Sequence, residues 1–427
     1  MGHRTRWGAI AASAVLALGL TACGGADNDD EGGGGDGASA GAPAKAPGFD
    51  GTTIKLATLS AQSGPVAVIG NPLVAGNKTW FDRLNAEGGV AGKYKVELVN
   101  EDNRYEADTT VQRYNRVKND VTAVLQVLGT APTLALLPQL RRDKIVAGPA
   151  SLDGFWVKEP NLLPIGAPYE FEAANGLAHY IEAEGKDKTF CTFTQDDVYG
   201  EAALRGVDAE AKQAGIQVAT RQKFKLADKD VTGQVQRLRR AGCDAVSLAA
   251  TPTDAATIWG TAARLKFAPR WIAQAPAWTG AFAKSPLAPY LQQTTWVVAE
   301  GTQWGDESVP GMKQMIADQK QYAPKQQPDI YFQYGYNQGR AFTALLEKAV
   351  EKGDLSRDGL LAALNELGEV DYQGLIAPYT YGADGDRTPS RSNAIFSIDP
   401  KAPGGLKLEA KDVTSPAAQE IEFQAAP

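Results

Sequence analysis

From Thr53 to Asn85 the chain reads TIKLATLSAQSGPVAVIGNPLVAGNKTWFDRLN. Ile54–Leu59 has the apolar density of a buried parallel strand, Ser60–Pro65 is a small polar loop, and a helix runs on to about Asn85. In an open α/β sheet, ligands lie beyond the carboxyl ends of the strands, so this loop, with Ser63 in it, stands where a ligand is held. Any α/β domain can begin with such a unit, and the residues of the loop alone leave its role open.

The same alternation continues down the chain. Strands are expected at Tyr94–Glu101, Ala123–Leu128 and Ile145–Ala147, with helices at Ala107–Asn119 and Leu134–Arg142. Leu163–Pro168, with two prolines in six residues, reads as a crossing into a second unit. There strands are expected at Thr189–Thr194, Gln217–Phe224, Cys243–Ala249, Trp271–Gln274 and Thr295–Ala299, with helices from about Gly200, Val231 and Thr253. Glu300–Trp304 forms a second crossing, followed by helices Pro310–Tyr322, Ile330–Glu351 and Arg357–Leu367. A third crossing near Tyr372 is expected to send Gly374–Tyr381 and Ala394–Asp399 back to the second lobe. The fold class is α/β: two doubly wound parallel-sheet lobes joined by three crossings. Residues 51–166 and 302–371 make lobe one, and 167–301 and 372–427 make lobe two. Two lobes also suit about 370 residues, more than one hydrophobic core usually serves.

SGPVAVIG, followed by LNAEGGVAGKYKVELVNED, resembles the opening of the branched-chain amino acid type of periplasmic solute-binding protein, the receptor component of an ABC importer. The resemblance runs from about Ile54 to Asp399 and implies a periplasmic binding protein-like I fold that closes over a small solute. Gly129-Thr130-Ala131-Pro132 opens a helix, and its free N–H groups and positive dipole end suit either a plain N-cap or an oxyanion. The resemblance places the family's carboxylate-binding turn on Thr130, with Ala131 beside it, and its small-residue turn on Ala150 and Ser151. It also places on Tyr199 the tyrosine that covers a ligand from the second lobe.

Two departures bear on the ligand. Where the family's amino-acid receptors hold an acid for the ligand's ammonium group, this chain has Ala275, and two aromatic positions fall on Ile69 and Thr251. An α-amino acid is disfavoured unless Asp153, Asp196, Asp197 or Asp254 supplies the charge. Trp278 and Tyr331 are further candidates for the cleft wall. The expected ligand is a small organic carboxylate, aromatic or amino-acid-like.

Residues 1–22 read as an export signal, with Arg4 and Arg6 ahead of an apolar run over Ala9–Leu20. Leu20-Thr21-Ala22-Cys23 resembles a bacterial lipobox, which implies acylation of Cys23 and a place on the extracytoplasmic face of the membrane. Residues 23–50 are a Gly- and Ala-rich acidic tether, whose acids fit a solvated linker better than cation binding. Cys191 and Cys243 remain as a pair in an oxidising setting, on strands expected to be neighbours, and a disulfide is expected in preference to two buried thiols.

Without Arg4 and Arg6 the 43 basic residues fall to 41 against 50 acidic ones, a formal charge of −9 that opposes nucleic acid as a partner. His179, inside an expected helix over Phe171–Glu184, is the one histidine after the signal, so a metal site or a catalytic triad has little to draw on. No cofactor and no enzymatic activity are expected. The partners are a small ligand, an ABC permease and, through lipid, the membrane, with the chain a monomer. A receptor signalling to a kinase and a two-lobed hydrolase are the alternatives.

Overall fold

The computed structural model describes residues 42–383 and 386–427. In the first lobe, β1 (Thr53–Ser60), β2 (Lys95–Asp102), β3 (Ala123–Leu128) and β4 (Ala147–Ala150) form a parallel sheet in the order β2-β1-β3-β4. They are joined through α1 (Ala67–Ala86), α2 (Ala107–Val117) and α3 (Thr130–Asp143). β3 is buried along its whole length, which accounts for its unbroken run AVLQVL. α3 begins at Thr130, four residues before the expected Leu134, because the Gly129 carbonyl accepts both the Thr133 N–H and the Thr133 hydroxyl.

α4 (Tyr169–Glu184) opens the second lobe. Its sheet has seven strands in the order β13-β12-β9-β8-β7-β5-β6. β5 (Phe190–Gln195), β6 (Val218–Phe224), β7 (Ala245–Ala249), β8 (Arg270–Gln274) and β9 (Thr295–Ala299) are parallel, separated by α5 (Val198–Ala214), α6 (Thr232–Arg240), α7 (Pro252–Arg264) and α8 (Ala288–Thr294). β5 and β7 are neighbours, and the expected disulfide joins Cys191 to Cys243 with their Cα atoms 5.9 Å apart.

α9 (Pro310–Tyr322), α10 (Ile330–Glu351) and α11 (Arg357–Asn365) return to the first lobe, where Met312, Phe332, Tyr336 and Leu360 share a core with Leu56 and Trp80. α10 lies close on α1 because small residues meet at the crossing. A Cβ on Gly76 would fall 2.1 Å from Phe332 O, and one on Gly335 would fall 2.0 Å from Leu73 O.

The third crossing lies later than expected. β10 (Gly368–Val370) pairs antiparallel with β11 (Tyr379–Tyr381), and Tyr372, Leu375, Tyr379 and Tyr381 all enter the core of the first lobe. Burying these rings there outweighs an earlier return, so the chain reaches the second sheet only at β12 (Asn393–Ile398). β12 runs antiparallel to β9 and to β13 (Leu406–Val413), and α12 (Pro416–Glu420) follows.

The signal segment, Cys23 and the tether up to residue 41 lie outside the described residues. Among the described residues no helix is long and apolar enough to cross a membrane.

Candidate functional site

A cleft enclosing about 870 Å³, part of it open to solvent, lies between the lobes at the carboxyl ends of both sheets. The first lobe contributes Ile69 and Leu73 of α1, Tyr105, Leu128, Gly129 and the turn Ala150–Leu152. The second contributes Tyr169 and Glu172 of α4, Tyr199, Thr251, Ala275, Pro276, Ala299 and Glu300. From α10 come Ile330, Tyr331, Gln333, Tyr334 and Asn337, and Ile376 completes the wall.

Local geometry explains how these side chains are aimed. Gly70 lets α1 lie directly on the opening loop, since a Cβ there would stand 1.9 Å from Ala61 O. Tyr105 adopts φ 63°, and its N–H donates to Asn103 Oδ1 at 3.0 Å, a turn that swings its ring over Gly129. Asp329 caps α10, accepting from the N–H groups of Tyr331 and Phe332. Tyr331 then crosses to the second lobe, where its hydroxyl donates to Trp278 O at 2.6 Å and lies 3.1 Å from Ala275 O. Tyr169 and Tyr199 pack with ring centroids 4.7 Å apart.

Ile69, Ala150, Ser151, Tyr199, Thr251, Ala275 and Tyr331 all line the cavity. Four other candidates do not. The Ser63 hydroxyl donates to Asp102 Oδ2 at 2.6 Å and braces the exposed loop. Trp278 is buried in the core of the second lobe, with its indole N–H on Gly404 O. Ala131 is exposed, and Thr130 is buried behind the wall. Tyr105 packs against the turn before the helix end expected to hold a carboxylate, since a Cβ on Gly129 would meet Tyr105 Cε2 at 2.7 Å, and the Thr130 hydroxyl is buried with no partner among the described residues. Ser151 lines the wall, but its hydroxyl already accepts from the Trp156 indole at 3.2 Å.

None of the four aspartates considered as a counter-charge lines the cavity. Asp153 is bound to Arg205, Asp196 to Lys223, and Asp197 caps α5, while Asp254 accepts from Thr251 and from the Ala227 N–H. The acids in the wall are Glu172 and Glu300. Glu172 is fully buried: one carboxyl oxygen accepts from the Ala275 N–H at 3.3 Å, and the other has no partner among the described residues. Both Glu300 oxygens are buried without a partner. Burial pushes the Glu172 carboxyl well above the usual range, with Glu300 adding to the shift, and burial raises Glu300 to about 8. Among the described residues no lysine, arginine or histidine lines the cavity. His179 packs on Trp296 from α4, away from it.

Sequence reasoning missed Glu172, Glu300 and Tyr105. An acid in the first turn of a helix ordinarily reads as a partner of the dipole, which hides Glu172. The sequence around it, YEFEAANG over Tyr169 to Gly176, mixes acids with apolar residues and gives no sign that the whole stretch is buried. Glu300 directly follows a buried strand, at the position after a carboxyl end where α/β sites lie.

Comparison with known proteins agrees with this architecture. Residues 53–403 match the Periplasmic binding protein family. A solved fatty acid ABC transporter substrate-binding protein from Thermomonospora curvata superposes with TM-score 0.84 at 25% identity, over 90% of this chain and 98% of that one. A branched chain amino acid ABC transporter protein from Thermus thermophilus, with bound valine, superposes with TM-score 0.73 at 17% identity, over 86% and 98%. By sequence the chain is 26% identical over 198 residues to the Leu/Ile/Val-binding protein of Citrobacter freundii, 45% of this chain and 53% of that protein. The chain thus spans about half the length of the curated relatives it matches.

Proposed function

Because the chain belongs to the periplasmic binding protein family, as a type I member of the branched-chain amino acid kind, we propose that it is the extracytoplasmic solute-binding component of an ABC importer. Its ligand is an amphipathic organic molecule with an apolar body, of the apolar monocarboxylic acid class. The observation that carries this reading is the wall itself. Ile69, Leu73, Leu128, Ile330 and Ile376 with the tyrosine rings offer carbon on most sides, and no cationic side chain lines the cavity among the described residues. The name of the Thermomonospora curvata protein supports an acyl ligand, and the names of the curated relatives support a branched aliphatic one.

Capture works through the two lobes. Wall residues come from both, so a ligand touches all of them only when the lobes are closed, and its binding shifts the hinge equilibrium toward the form a permease recognises. Cys23, acylated, holds the receptor on the membrane, and Cys23→Ser releases it into the soluble fraction with binding intact. The ligand class is tested by native mass spectrometry of gently purified protein. One amphipathic acid per chain is expected; a co-purifying sugar or polycation refutes the reading.

A further inference from the structure

Glu172 and Glu300 are the acids of the cavity wall. Glu172 reaches the cavity from α4, held by the Ala275 N–H on one oxygen only. Glu300 stands at the second crossing, against Gly166 of the first, where a Cβ would fall 2.2 Å from Oε2 and 2.4 Å from Oε1. The absence of a side chain at 166 keeps room for the carboxyl. Three buried carboxyl oxygens in one largely apolar wall have no partner among the described residues. Buried polar groups left this way mark a place where something else completes the hydrogen bonds.

Resting on the ligand class proposed above, we propose that Glu172 and Glu300, both protonated, form a headgroup subsite whose O–H groups donate to the carboxylate of the bound acid. An ionised carboxyl buried without a cation is costly, and two facing one cavity oppose each other's charge. Held neutral, each becomes a hydrogen-bond donor, as buried carboxylic acids do in some active sites. The apolar body then lies toward Ile69 and Leu73. The two protons stay on the site, and no bond changes except the O–H···O contacts formed.

The titratable groups facing this pair are tyrosines, and the amides of Gln333 and Asn337 share the wall. Tyr169, Tyr199, Tyr331 and Tyr334 feel the charge of Glu172, and Tyr334, Tyr372 and Tyr379 that of Glu300. Burial raises all of them above the ordinary phenol, so they stay neutral where the carboxyls titrate. Asp329 lies behind Tyr331, and Asp197 and Asp254 lie toward Tyr105.

The test is calorimetric titration of the full mature chain with octanoate, octanol and octylamine between pH 6 and pH 9.5, where free octanoate and octylamine keep one charge each. Octanoate should bind with constant affinity at low pH and weaken by up to about tenfold per pH unit above about pH 8, with proton uptake visible across buffers of different ionisation enthalpy. Glu300→Gln, whose amide donates without titrating, should bind more weakly than wild type but more tightly than Glu300→Ala, and should lack the alkaline limb. Octanoate binding independent of pH in the wild type overturns the subsite and leaves the ligand class standing. Octylamine affinity that rises with pH and collapses in Glu300→Gln overturns it in favour of a cation site. Binding of none of the three probes overturns the ligand class as well.

Discussion

Gly166 and Glu300 meet where two of the crossings between lobes run side by side, with Gly166 at φ +84° and no space for a β-carbon beside the carboxyl. A substitution there disturbs the hinge and the cavity wall together.

Gly166→Ala should therefore carry two penalties. The left-handed backbone alone costs an alanine roughly 1 kcal/mol or more. The methyl also displaces Glu300 and should weaken ligand binding. Gly92→Ala is the control, since Gly92 is also left-handed, at φ +67°, but a Cβ there meets nothing within 4 Å. Denaturant unfolding of both variants should show similar backbone losses, with the loss of affinity confined to Gly166→Ala.

The titration of Glu300 predicts a stability profile. Its carboxyl is raised from 4.5 to about 8 by burial, so the folded protein holds a proton that the unfolded chain releases. Unfolding thus releases a proton between those values. The contribution is full below about pH 4.5 and is lost as pH rises toward 8, by at most about 1.4 kcal/mol per pH unit. Glu300→Gln should flatten this part of the profile and be the more stable protein at pH 8 in the absence of ligand. Asp329, raised to about 7 by burial, acts in the same direction in both proteins and drops out of the difference, which reports Glu300 together with the part of the Glu172 shift that Glu300 causes. An unchanged slope in the variant would show that Glu300 is ionised in the folded state.

A bond between lobes joins the opening loop to α7: Thr253 Oγ1 donates to Pro65 O at 2.7 Å. Thr253→Val removes the hydroxyl at nearly constant volume and should weaken ligand binding by roughly two- to tenfold, the worth of one such bond at about 0.5–1.5 kcal/mol. Thr257→Val, which loses a 3.2 Å bond to Thr253 O within α7, should leave affinity unchanged. Equal effects of the two would point to α7 itself and not to closure.

Much of this fold was legible because parallel strands buried on both faces announce themselves. β3 and β9 were read to the residue, and the three helices after the second crossing nearly so. β13 was missed because LKLEAKDV alternates charged and apolar residues at a sheet edge and resembles a polar tail. The third crossing was misplaced because Tyr372, Tyr379 and Tyr381 carry no mark of which lobe buries them. The site divided along the same line. The turn Ala150–Ser151, placed by the family resemblance, lies in the cavity wall. The acid missing at position 275 was sought among nearby aspartates, whereas Glu172 brings a carboxyl to the Ala275 N–H from a helix 103 residues away in sequence. Contacts of that kind exist only once the lobes are packed.

The central claim is that the cavity holds an apolar acid and not an α-amino acid. Calorimetric titration at pH 7 with octanoate, leucine, isoleucine and valine tests it most directly. The account predicts one octanoate site per chain with a negative heat-capacity change, and at least about tenfold weaker binding of each amino acid, a gap of about 1.4 kcal/mol. Tighter binding of leucine, isoleucine or valine than of octanoate would contradict it.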